Sequence, residues 1–144
     1  MSDSASEHVH ASTVAIDGRA VLITGPSGSG KSDLALRLID RGFILVGDDR
    51  TIVRRDGERL VSSAPARIAG KLEVRGIGII EMETASDLPV ALLVELTSEI
   101  ERLPEDNRTS AILGVSLPLV SIDAQAASAP AKVALALDRI GLKF

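Results

Sequence analysis

The sequence predicts an α/β domain organised around a phosphate-binding loop, and three observations carry that reading. A continuous apolar run, AVLIT, enters GPSGSGKS at Gly25–Ser32; an amphipathic segment leaves it; and a second apolar run, FILV, ends in the acidic pair Asp48 and Asp49. Strand, glycine-rich loop and helix in that order are the context in which such a loop binds phosphate.

Composition sets the outer limits. A chain of 144 residues, 45% hydrophobic and 25% charged, is long enough for one globular domain with its own core. The only aromatic residues are Phe43 and Phe144, so the core is expected to consist of Leu, Ile, Val and Ala. A net charge of -4 and the lack of stacking rings argue against nucleic acid as a partner. Without cysteine, disulfides and thiolate chemistry are excluded. No window has the length of a membrane span and the polar N-terminal stretch has no apolar core of a signal peptide, so the expected setting is cytoplasmic with no membrane partner.

The elements follow in order. Residues 1–9 are expected as a flexible lead and 10–144 as the single folded domain. STVAID before Gly18 predicts a short strand entering a turn, and AVLIT a buried central strand. Leu34, Ala35, Leu38 and Ile39 recur at helical spacing, with Gly42 as the stop. FILV is a second buried strand. TIVRRDGERLVSS predicts a hairpin turning at Asp56-Gly57. LPVALLVEL is a further buried strand, and ILGVSLPLVSID reads as more strand, with Pro118 indicating an edge or a bend. Residues 124–131 are expected to turn into a last helix, AKVALALDRI, stopped by Gly141.

The loop residues Gly25, Pro26, Ser27, Gly28, Ser29, Gly30, Lys31 and Ser32 match GxxxxGKS. Small residues let successive N–H groups turn inward, and the positive end of the following helix points at the same place. Lys31 then reaches the β and γ phosphates, and Ser32 offers its hydroxyl to Mg²⁺. Carboxylates at the end of the neighbouring strand stand where a general base or a ligand to metal-bound water belongs; the plain alternative is that they cap a turn. From the residues alone, a protein kinase, a small-molecule kinase and a nucleotide-dependent binding module all remain open. No Asn-Lys-x-Asp guanine-reading motif occurs, and Gly76 and Gly78 lack the third glycine of a dinucleotide fingerprint.

Three segments resemble the catalytic domain of the bacterial HPr kinase/phosphorylase family: GPSGSGKSDLALRLIDRG, LVGDDR and LEVRGIGII. The third is the specific one, being similar to the family's signature Leu-Glu-Ile-Arg-Gly-Leu-Gly-Ile-Ile. The resemblance implies a P-loop kinase domain related to phosphoenolpyruvate carboxykinase, a mixed β-sheet with flanking helices. It also implies ATP and Mg²⁺ as cofactors, and a serine of HPr, a phosphocarrier protein of the sugar phosphotransferase system, as acceptor. Asp49 then matches the catalytic base, Asp48 a supporting carboxylate, and Glu73 the second Mg²⁺ ligand beside Ser32. His10 has the spacing of the family's active-site histidine. Arg102 is the nearest match to an active-site arginine, with Arg108 as its rival. Family members form hexamers, so a homo-oligomer is expected.

The departures from the family pattern are also informative. EMETASDLPV is shorter than the glycine-rich loop that follows the signature in relatives, and no counterpart of their separate N-terminal domain is expected. SIDAQAASAPAKV carries Lys132 alone where relatives place a Lys and Arg segment used in phosphorolysis. A basic pair binds the attacking phosphate. The expectation is a kinase with weak or no phosphorylase activity, similar to the short form of alphaproteobacteria. Between Arg50 and Arg75, seven basic residues face three acidic ones, a local excess suited either to a protein substrate or to a solvated hairpin face.

Overall fold

The computed structural model describes residues 5–144. Among the described residues, eleven strands and two helices follow in the order β1 (Ser6–Val9), β2 (Ala11–Ile16), β3 (Arg19–Thr24), α1 (Lys31–Asp40), β4 (Ile44–Gly47), β5 (Thr51–Asp56), β6 (Arg59–Ser63), β7 (Lys71–Val74), β8 (Gly78–Glu81), β9 (Leu88–Leu96), β10 (Thr109–Ile112), β11 (Val115–Ile122) and α2 (Ala129–Ile140). Nine strands form a mixed sheet in the order β1-β5-β6-β9-β3-β2-β4, extended by β11 on β9 and β10 on β11, while β7 and β8 form a separate hairpin. β9 runs parallel to both β3 and β11, and antiparallel to β6.

The apolar runs of β3 and β9 have a direct cause: both faces of these strands are covered. Val21, Ile23, Leu92 and Val94 face a core closed by Leu34, Ala35 and Leu38 of α1 and by Val133 and Leu137 of α2. Ala20, Leu22, Val90 and Leu93 face a second core with Val53, Leu60, Val115 and Leu117, where the sheet folds over itself. α1 ends as its sequence predicts. Gly42 takes φ 108, its N–H bonds to the Ile39 carbonyl, and the N–H of Phe43 reaches back to the Leu38 carbonyl. These two bonds satisfy carbonyls that the last helical turn leaves open, and Phe43 packs into the core beneath them.

Several expectations are corrected. Ser6–Val9, placed in a flexible lead, forms β1, paired antiparallel with β5; its exposed polar residues are held by main-chain bonds and leave no apolar trace in the sequence. The folded domain therefore begins before His10, while Met1–Ser4 of the expected lead lie outside the described residues. The stretch 112–123 is not one strand: Leu113 and Gly114 both take positive φ and turn the chain between β10 and β11. The β5–β6 turn falls at Gly57-Glu58 rather than Asp56-Gly57, with Gly57 at φ 63. α2 starts at Ala129, with Pro130 in its first turn, where a missing N–H costs no helical bond. Among the described residues no helix is long and apolar enough to cross a membrane.

Candidate active site

The site lies where β3 and β4 end and the antiparallel β2 begins, beside the start of α1. Gly25 is dictated by space, because a Cβ there would sit 2.6 Å from Ser29 Oγ and 3.2 Å from Leu96 Cβ. Gly30 caps α1 at φ 100, a left-handed conformation that favours glycine. The buried Lys31 ammonium bends back over the loop and donates to the carbonyls of Gly25 at 2.9 Å and Pro26 at 3.1 Å.

The two aspartates divide into different environments. Asp48 is buried, with 8% of its surface exposed, and its carboxylate is fully engaged. Oδ1 accepts the Ser32 hydroxyl at 2.6 Å and the Ser12 hydroxyl at 3.0 Å, and Oδ2 accepts the Glu73 main-chain N–H at 3.0 Å. One side chain thus ties β2, α1 and β7 together. Asp49 has a side chain 55% exposed and φ 64, a region Asp tolerates better than most residues. Its Oδ1 lies 2.7 Å from His10 Nε2 and 3.7 Å from Lys31 Nζ. An ionised carboxylate only accepts, so the proton of this histidine bond sits on Nε2.

The turn that holds the pair is itself fixed. The Arg50 N–H bonds to the Asp48 carbonyl at 2.7 Å, and a Cβ on Gly47 would come within 2.9 Å of the Arg50 carbonyl oxygen. Behind it, the buried Thr51 hydroxyl donates to the Ala11 carbonyl at 3.0 Å, which leaves Thr13 to donate to Thr51 Oγ1 at 2.7 Å.

A cavity of about 770 Å³ opens over these groups, lined by Gly28, Lys31, Asp48, Asp49, Glu73 and Arg75 among others. That volume is in the range of small-molecule sites. A second cavity of about 670 Å³ is lined by Glu95, Glu99, Glu101, Glu105 and Asp106, the wrong sign for a polyphosphate.

The structure brings together Lys31, Ser32, Asp48, Asp49 and Glu73 around the first cavity, with His10 bonded to Asp49. Arg102 is not among the lining residues; it is exposed in the 97–108 loop. Arg108 is engaged elsewhere, donating to Glu95 Oε1 at 3.1 Å and Ser121 Oγ at 3.0 Å. Glu95 also accepts the Ser121 hydroxyl at 2.6 Å; that bond, and then the Arg108 guanidinium, hold its carboxyl below the ordinary range against the opposing effect of burial. Sequence reasoning missed Ser12, whose partners are 36 and 37 residues away. It also missed Arg37, which lines the cavity and donates to the Ala124 and Ala126 carbonyls.

The residues fit a magnesium nucleotide. Ser32 gives its proton to Asp48 and keeps oxygen lone pairs for a cation, Glu73 offers an exposed carboxylate, and hard oxygen donors of this kind suit Mg²⁺.

The family model described as HPr Serine kinase C-terminal domain matches residues 2–137. HPr kinase/phosphorylase of Chlorobium phaeobacteroides is 36% identical over 129 residues, covering 81% of this chain and 38% of the relative. The protein of the same name from Limosilactobacillus reuteri is 39% identical over 127 residues, covering 79% of this chain and 40% of the relative. The chain thus spans about two fifths of the length of these curated relatives. Among solved structures, the Hpr(Ser) kinase/phosphatase from Coxiella burnetii superimposes with a TM-score of 0.78 at 31% identity, covering 92% of this chain and 94% of that one. On the match of nearly its whole length to the family model, this chain belongs to the HPr Serine kinase C-terminal domain family.

Proposed function

We propose that this chain is an ATP-dependent, Mg²⁺-requiring kinase that phosphorylates a serine of an HPr-type phosphocarrier protein, with Asp49 as general base. The observation that carries the reading is the placement of Asp49: an exposed carboxylate over the phosphate loop, 3.7 Å from the Lys31 ammonium and oriented by His10 at 2.7 Å. The acceptor hydroxyl gives its proton to Asp49 as its oxygen bonds to the γ phosphorus. The bond from that phosphorus to the β–γ bridging oxygen breaks, and ADP leaves. Lys31 stands ready to exchange its carbonyl partners for phosphate oxygens. Ser32 and Glu73 would hold Mg²⁺, which would supply charge neutralisation to the phosphates.

Phosphorolysis is weak or absent in this reading. The 123–128 turn brings Ala124 and Gln125 to the cavity and no cation, and Lys132 is exposed on α2. The test is to incubate the protein with Mg²⁺, ATP and an HPr-type carrier, and to locate added phosphate by mass spectrometry. A phosphoserine on the carrier that persists when inorganic phosphate is then added is the expected result. Transfer to a small molecule without any carrier, or nucleotide binding without transfer, contradicts it.

A further inference from the structure

We infer that Ser12 is a positioning residue for phosphoryl transfer, its hydroxyl setting the main-chain conformation from which Asp49 acts; this rests on the reading of Asp49 as the base. Ser12 lies on β2 with no exposed surface, at a position where a polar side chain persists only if it is hydrogen-bonded. Its single proton goes to Asp48 Oδ1 at 3.0 Å, since a carboxylate only accepts. Its oxygen accepts the Asp49 main-chain N–H, also at 3.0 Å. One hydroxyl therefore bridges the two adjacent aspartates, the buried one through its side chain and the exposed one through its backbone.

Asp49 is at φ 64, outside the conformations a non-glycine residue normally adopts. The N–H bond to Ser12 is the contact that fixes this peptide to a central strand, and His10, two residues earlier in the chain, holds the Asp49 carboxylate. The main chain and side chain of the base are thus both anchored at one end of β2 and its entry. Ser32 and the Glu73 N–H meet the same Asp48 carboxylate, so the Ser12 bridge sets the base relative to the groups proposed to hold Mg²⁺.

Ser12→Ala is expected to lower kcat for carrier phosphorylation by about 10- to 100-fold, the scale of a small misplacement of a reacting group. KM for ATP stays within about twofold, because Lys31 and the loop amides are untouched. Ser12→Thr keeps the hydroxyl and Ser12→Val replaces it with a methyl of similar shape, so the Thr enzyme is expected to be the faster of the two. Independently of catalysis, hydrogen exchange of the Asp49 amide by NMR is expected to speed up by about tenfold or more in the Ala variant. Wild-type kcat with an unchanged Asp49 amide in Ser12→Ala overturns the inference, as does equal loss in Thr and Val or loss of ATP binding along with transfer. A wild-type protein that transfers nothing to the carrier sinks the kinase reading instead, and the amide measurement still decides whether Ser12 holds Asp49.

Discussion

The Ser32 hydroxyl and the Asp48 carboxylate meet at 2.6 Å, joining the start of α1 to the end of β4. That bond explains why two aspartates stand side by side so soon after the phosphate loop. Asp48 is the buried partner, spending both oxygens on Ser12, Ser32 and the Glu73 N–H. Asp49 is the exposed partner, turned toward the cavity by its left-handed backbone. The bend that follows β4 thus turns one carboxylate into the fold and leaves the other open to the cavity.

Asp48→Ala leaves two hydroxyls and one main-chain N–H without their acceptor in a largely buried place. The expected cost is about 2–4 kcal/mol of folding stability, the range for breaking a buried hydrogen-bonded network. Urea unfolding at neutral pH measures it; a loss below the scatter of surface substitutions contradicts the role given to Asp48.

Lys31→Met removes the ammonium from the loop and keeps much of the apolar stem. Affinity for ATP is expected to fall by about 10- to 100-fold, the equivalent of one lost charge-assisted hydrogen bond. Calorimetric titration with Mg²⁺ and ATP reads this directly. Unchanged affinity removes the phosphate loop from the binding site.

Acid stability is expected to depend on Glu95. The Ser121 hydroxyl bond and the Arg108 guanidinium lower its pKa in the folded protein from the ordinary value of 4.5, so its stabilising contribution is full above 4.5 and is lost as the pH falls through the folded value. Glu95→Gln is expected to be less stable than wild type at pH 7, with the two converging under acid. Thermal denaturation across that range checks the sign; a gap that widens as the pH drops contradicts it.

Much of this architecture is legible in the sequence because local chemistry announces it. The loop Gly25–Ser32, the α1 stripe of Leu34, Ala35 and Leu38, and the stop at Gly42 each follow from short-range rules. The turn at Leu113-Gly114 escaped because Leu is a poor guide to positive φ, and the flanking apolar residues run through it without interruption. β1 escaped because an exposed edge strand needs only main-chain partners. Ser12 escaped for a different reason: nothing in ASTVAI marks one hydroxyl as bonded to residues far along the chain. His10 is singled out in the sequence only through the family resemblance, and the structure places its Nε2 2.7 Å from Asp49 Oδ1.

The most direct measurement compares wild type with Asp49→Asn in a single turnover of bound ATP on an HPr-type carrier, with ATP affinity measured in parallel. The amide keeps the shape of the side chain and cannot take the acceptor's proton. Transfer is expected to fall by about 100-fold or more, at the level that general-base catalysis contributes, while ATP binding is retained. Transfer at the wild-type rate in the Asn variant contradicts the assignment of Asp49 as the base.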